Sequence, residues 1–240
     1  MKIRSRQTIL VLFGALLCVG TAPAQELRGL EILQKVEQNF TAINDFIVDL
    51  EVDVNMDRLR MPRMKATMYF KQADKLHFDA PEFAMIPRDG VFLNPRLLRE
   101  RYDVVLAGEE SIASVRVHKL QLAAKEVSAR VRQMYVFVDP SNWTIVKMEM
   151  APFPGRVVMF DFVHERQKGD FWMPTRLVAS FSTAEPDTTA PLPELAQEVS
   201  PRYNEMRGPL RSGSITIVYS RYRINVGLSD DIFSTKNKEK

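Results

Sequence analysis

The sequence predicts a mainly β protein, an antiparallel meander of about ten or eleven strands preceded by one amphipathic helix. Apolar residues recur every three or four positions from Glu26 to Ile43, which is the period of a helix. From Phe46 onwards they recur at every second position, which is the period of a strand. Short turn-forming stretches rich in Gly, Pro, Asp and Asn separate the alternating segments. Strands joined by such short connections pair antiparallel.

The N-terminus has the layout of a secretory signal peptide. Three basic residues precede an apolar run, Ile9 to Val19, that is short for a membrane span, and small residues then predict cleavage after Ala24. We therefore predict a signal peptide at residues 1–24, a single domain at residues 25–240, and a periplasmic location.

The leader also holds the only cysteine, Cys18, so the mature chain is expected to have no thiol chemistry. A lipid anchor on Cys18 is the alternative, but leucines precede it where such a signal has a small residue. The chain has 33 Lys and Arg against 30 Asp and Glu, and the three basic residues of the leader account for the excess. The balanced remainder gives no electrostatic reason to expect nucleic acid as a partner.

The helix predicted over Glu26 to Ile43 carries one apolar stripe. A helix of this length gains most of its stability by docking that stripe on another element. We expect Leu33, Val36 and Phe40 to cover the apolar face of the sheet.

The strands follow in order along the chain. The first, Phe46 to Met56, puts apolar side chains on its even positions and mostly acidic ones on its odd positions. Further strands are predicted at residues 64–70, 76–78, 91–93, 104–106, 112–122, 131–138, 144–150, 157–163, 175–181 and 214–223.

A proline-rich segment, Thr183 to Pro209, interrupts the strands before the last one, and within it Leu192 to Val199 could form two helical turns. Segments this long are usually functional or disordered, so a mobile flap and a plain surface insertion both remain open.

The apolar face of such a sheet needs a cover, and one helix covers little of it. The face is rich in phenylalanine and methionine, including Met56, Met159 and Phe181, and methionine suits changeable contents. A cavity for acyl chains and a solid core both fit this pattern. The candidate lipid-binding residues are Leu33, Val36, Phe40, Phe46, Val48, Leu50, Val52, Met64, Met68, Phe70, Phe78, Met148, Met150, Phe160 and Phe162.

Motifs for catalysis or metal binding are not found in the sequence. The three histidines lack metal-ligand spacing, and there is no nucleophile elbow or phosphate-binding loop. Asp49, Glu51 and Asp53 share one face of a strand, which favours solvation. A calcium site there is the alternative and would need oxygen ligands from another segment. We predict no catalytic residue, no metal and no cofactor.

Several motifs, taken in order, resemble the LolA/LolB-like lipoprotein-localisation family. They are "LEILQKVEQNFTAINDFIVDLEVDV", "ATMYFKQADKLHFDAPE" and "DGVFLNP", followed by "YVFVDPSNWTIVKMEM" and "YSRYRINVGLSDDIF". The later motifs are similar to the family's outer-membrane lipoprotein-sorting branch. One departure is Ala73 and Asp74, where a proline is usual.

This resemblance implies an unclosed antiparallel β-barrel of about eleven strands, with the N-terminal helix and short helices covering the concave face. Family carriers take lipoproteins from an inner-membrane exporter and pass their acyl chains to an outer-membrane acceptor. A chain cleaved without an anchor resembles the soluble carrier, which we expect to be a monomer that binds lipoprotein acyl chains or lipid. The alternative is an envelope sensor or interaction module that binds a protein partner without transport. An enzyme is a third reading, with no catalytic residues to support it.

Overall fold

The computed structural model describes residues 22–56, 59–80, 94–129, 131–153, 156–183 and 212–234. The helices are α1 (Ala22–Thr41), α2 (Pro95–Arg101) and a 3-10 turn (Asp230–Phe233). The strands are β1 (Asp45–Met56), β2 (Leu59–Arg60), β3 (Met64–Lys71), β4 (Lys75–Asp79), β5 (Tyr102–Ile112), β6 (Val115–Ala124), β7 (Gln133–Asp139), β8 (Thr144–Phe153), β9 (Arg156–Gln167), β10 (Phe171–Thr183) and β11 (Ser212–Ile224).

The strands form one antiparallel sheet that does not close. Ten of them lie in the order β4-β3-β1-β11-β10-β9-β8-β7-β6-β5, and β2 pairs with β1 beside this path. From β5 to β11 each strand pairs with its neighbour in the chain, and β11 then pairs with β1. Since β4 and β5 remain at opposite edges, the predicted fold class, a mainly β unclosed barrel, is confirmed.

Helix α1 crosses the concave face of the sheet. Near its start, a Cβ atom on Gly29 would lie 2.9 Å from the backbone nitrogen of Leu106 and 3.0 Å from the carbonyl carbon of Val105. Only glycine allows the helix to approach the β5 backbone so closely. Near its end, Phe40 packs against Phe70 of β3 with the rings tilted and their centroids 5.3 Å apart. Helix α1 therefore reaches from one edge strand towards the other.

The periodicity of the sequence did not predict helix α2. The Asn94 side chain accepts a hydrogen bond from the Arg96 backbone N–H at 3.1 Å, and Pro95 occupies the first helical position. Both are start signals for a helix.

The break predicted between the strands at residues 104–106 and 112–122 is wrong, because β5 continues through it to Ile112. Gly108 lies at a bulge in the β5–β6 register, with φ of 144°. The chain reverses instead at Ala113 and Ser114, which both have positive φ. The predicted strand at 91–93, the predicted helical turns at 192–199 and residues 184–209 lie outside the described residues.

The first and the last of the motifs that carry the family resemblance are hydrogen-bonded to each other. The Asp45 carboxylate accepts hydrogen bonds from the backbone N–H groups of Val226, Gly227 and Leu228 at 2.7, 3.0 and 3.0 Å. Asn225 Oδ1 accepts from the Asn44 backbone N–H at 2.7 Å. These contacts attach the end of β11 to the α1–β1 junction, so the motifs have a structural role.

The acidic face of β1 forms ion pairs. Asp49 pairs with Arg221 at 2.5 Å, while Glu51 and Asp53 pair with Arg63 at 3.1 and 3.5 Å. Within the described residues, no group of three or more His, Cys, Asp or Glu side chains could hold a metal ion.

Candidate functional site: the concave apolar trough

The concave face contains two apolar clusters. The first joins β1, β3, β10 and β11, with Phe40 of α1 packed against it. The second joins β5, β6, β7 and β8 to the buried side chains of α1, Ile32, Leu33 and Val36. Phe160 and Phe162 of β9 pack against both clusters, so the two clusters meet at β9.

Burial of the residues on this face decreases towards one end of the strands. Near one end of the sheet, five residues lie directly opposite one another on five adjacent strands and are only half-buried. We call them the rim row: Met150, Val158, Phe181, Gly213 and Met56. Four residues further along three of these strands, Leu177, Ile217 and Val52 are almost fully buried, with at most 2% exposed. At about 4.8 Å between strands, the rim row is roughly 19 Å wide. We call the apolar concave surface formed by the rim row and the two clusters the trough.

The residues predicted to bind lipid do come together on this face and on the facing stripe of α1. Five are half-buried: Phe40, Phe78, Met150, Phe160 and Phe162. The others are buried in the two clusters: Leu33, Val36, Phe46, Val48, Leu50, Val52, Met64, Met68, Phe70 and Met148. Their part in ligand binding stays a prediction.

Three details of the face differ from the sequence interpretation. Met159, counted with the methionine-rich face, pairs with Glu149 and Ser180 on the other face, because side chains alternate along β9. Val158 and Ile215 belong to the half-buried apolar face but were not among the candidates. The alternation of "VVMFDFVH" could have identified Val158.

A small cavity lies between the end of α1 and the sheet. Its volume is about 70 Å³, against the 300–1,000 Å³ of typical ligand pockets, so an acyl chain does not fit without movement of α1. It is lined by Val36, Asn39 and Phe40 of α1, by Pro95, and by Trp143, Thr144, Ile145, Phe162, His164, Trp172, Met173, Pro174 and Tyr219.

The polar side chains near this cavity are kept uncharged by burial. Desolvation lowers the pKa of His164 to about 4, and its buried Nδ1 atom has no hydrogen-bond partner among the described residues. Desolvation also raises the pKa values of Tyr219 and Tyr222 above the ordinary range of tyrosine. The Tyr222 hydroxyl donates a hydrogen bond to the Pro174 carbonyl at 2.7 Å.

Polar contacts hold the C-terminal half of α1 in place. Asn39 Nδ2 donates to the backbone carbonyls of Asn142 and Trp143 at 2.5 and 3.3 Å. The Lys35 ammonium lies 4.0 Å from the centroid of the Trp143 ring. Glu37 accepts two hydrogen bonds from Arg99 of α2, at 2.7 and 3.2 Å. The α1 side chain in each of these contacts is half-buried or exposed.

An unclosed antiparallel sheet with an apolar concave face under an N-terminal helix is the LolA-like fold, and the solved structures that share it include the following three. A DUF1329 family protein from Desulfovibrio piger superposes with a TM-score of 0.61 at 16% identity, covering 88% of this chain and 97% of its own. An outer membrane lipoprotein-sorting protein domain from Vibrio parahaemolyticus gives 0.55 at 13% identity, with 87% and 97% covered. A LolA superfamily protein from Nitrosomonas europaea gives 0.53 at 15% identity, with 86% and 97% covered.

The resemblance predicted from the motifs is therefore confirmed for the fold. No family model and no curated protein matches the sequence itself. Neither α1 nor α2, the α-helices of the described residues, is long and apolar enough to cross a membrane.

Proposed function

We propose that this protein is an exported carrier that binds acyl chains of lipoproteins or lipids in the trough and ferries them towards the outer membrane. The rim row carries the proposal, because it is apolar and half-buried across five strands and continues into the concave face. The LolA-like fold supports it.

Movement of α1 would admit the ligand. Each buried CH₂ group stabilises a complex by about 0.8 kcal/mol, so an acyl chain can replace the contacts that Leu33 and Val36 make with the sheet. Since ligand contacts replace self-contacts, the net affinity stays modest and release remains possible.

Binding can be tested with two substitutions on one strand. Ile215 of β11 is half-buried on the concave face, whereas Val218 is 44% exposed on the opposite face. We expect saturable uptake of a fluorescent acylated peptide by the wild type and by Val218→Asp. The affinity of Ile215→Asp should fall about tenfold or more, because a carboxylate in the trough opposes apolar burial. Equal affinities of the two variants would contradict the assignment of the trough.

The role of α1 can be tested at its C-terminal half. Asn39→Ala removes the two hydrogen bonds to the β7–β8 turn. If opening precedes binding, a loss of about 1 kcal/mol raises the open population, and hence the uptake rate, about fivefold. Gln38→Ala, an exposed neighbour, should leave the rate unchanged. Unchanged uptake by Asn39→Ala would mean that α1 does not limit entry.

Export and cargo can be examined on protein isolated from the periplasm. An intact mass equal to that of a chain starting at Gln25 would support cleavage after Ala24. Mass spectrometry of a solvent extract would identify bound acyl lipid. We also propose an inner-membrane exporter as donor and an outer-membrane lipoprotein acceptor as recipient. Absence of both copurified lipid and saturable uptake would overturn the carrier function.

A further inference from the structure

The concave side of β9 forms an apolar track with one polar end. Val158, Phe160, Phe162 and His164 alternate along its concave side, and at about 3.4 Å per residue they span roughly 20 Å. Val158 belongs to the rim row, Phe160 and Phe162 contact both clusters, and Phe162 and His164 line the cavity. This arrangement would fit a long apolar ligand that carries one polar group at its end.

At the polar end, one ring nitrogen of His164 has no hydrogen-bond partner among the described residues. A neutral imidazole has one donor and one acceptor nitrogen, and His164 Nδ1 is buried without a partner among the described residues. An unsatisfied buried polar atom is costly, so a ligand atom that bonds to it gains affinity. The volume of about 70 Å³ leaves room for a small group beside the ring.

The cavity lining selects for an uncharged group. None of the described residues that line it is Lys, Arg, Asp or Glu, and burial keeps His164 neutral, so an ionised carboxylate would have no permanently charged cation beside it. An ester or amide carbonyl can accept a hydrogen bond from an imidazole N–H at a much smaller desolvation cost.

We propose that His164 and this cavity form a subsite for the uncharged carbonyl group of an acyl ester or amide whose chain lies along β9 towards the rim row. This inference rests on the proposed function and narrows its ligand to uncharged acyl esters and amides, in preference to fatty acid anions. The carbonyl could belong to an acylated protein N-terminus or to a glycerolipid.

The test is displacement of a fluorescent acylated probe by competitors of equal chain length. An alkane, a methyl ester and an ionised fatty acid are compared on the wild type and on His164→Phe. The wild type should prefer the ester to the alkane about fivefold, the effect of one hydrogen bond, and should bind the anion most weakly. In His164→Phe the preference for the ester over the alkane should vanish. A diacylated cysteine peptide and a monoacylglycerol then separate the two sources of the carbonyl.

An NMR measurement keeps the inference falsifiable if His164→Phe does not fold. Saturation of wild-type protein with the methyl ester should shift the ¹⁵N resonances of the His164 ring and leave those of His77, on β4, in place. Unmoved His164 resonances at saturation, a preference for the anion, or the same ester preference in both proteins would overturn the subsite. Failure of the probe to bind the wild type would refute the proposed function instead.

Discussion

The low pKa of His164 makes the stability of the protein depend on pH. Burial holds the folded-state pKa at about 4, against the ordinary value of 6.5. Below pH 6.5 the unfolded chain therefore binds a proton that the folded protein does not, and the free energy of unfolding falls as the pH drops towards 4. Between pH 7.5 and pH 5.0, this difference amounts to at most about 2 kcal/mol.

Urea unfolding of the wild type and of His164→Phe at these two pH values measures the effect. The wild type should lose up to about 2 kcal/mol more than His164→Phe on going to pH 5.0, because the variant has no ring to protonate. The matched control is the exposed Gln38→Ala, which removes no titratable group and should keep the wild-type loss. Equal losses in the wild type and His164→Phe would refute the reasoning, as would an NMR titration that places the folded pKa of His164 at or above 6.

Three further substitutions test the fold. Asp45→Ala should lower the free energy of unfolding by about 3 kcal/mol, since three backbone N–H groups lose a charged acceptor, and a loss below 1 kcal/mol in urea unfolding would contradict this. Gly29→Ala should destabilise the protein by about 1–2 kcal/mol despite the better helix propensity of alanine, because the added methyl meets the β5 backbone. Its control, the exposed Gln34→Ala, should stay within about 0.5 kcal/mol of the wild type by the same assay. Tyr222→Phe should cost about 1 kcal/mol through loss of the hydrogen bond to Pro174, and an unchanged thermal midpoint would exclude that contribution.

Local periodicity was sufficient to predict α1 and β1. Leu33 and Val36 both face the sheet because residues three or four positions apart lie on the same side of a helix. The even positions of β1 from Phe46 to Val54 are buried because side chains alternate in a strand. Gly108 was misread because a glycine at a bulge and a glycine in a turn have the same local sequence signal.

The site depends on pairing between distant strands and was less predictable. Met56 and Gly213 meet only because β11 returns to pair with β1, and no local pattern specifies that register. The alternation in "FDFVHE" could place His164 on the concave side, but the unpartnered Nδ1 depends on what β8, β10 and α1 bring to it. Asn94 followed by Pro95 was a readable helix start, and α2 was missed because the pair also occurs in turns.

Photoaffinity labelling tests most directly whether acyl chains occupy the concave face. An acylated peptide with a diazirine at the end of its chain would be bound, irradiated and located by peptide mass spectrometry. We expect saturable labelling on concave residues such as Phe160, Phe181 and Ile215, with competition by unlabelled peptide. Saturable labelling confined to convex residues such as Val163 and Val218, or no saturable labelling at all, would contradict the account.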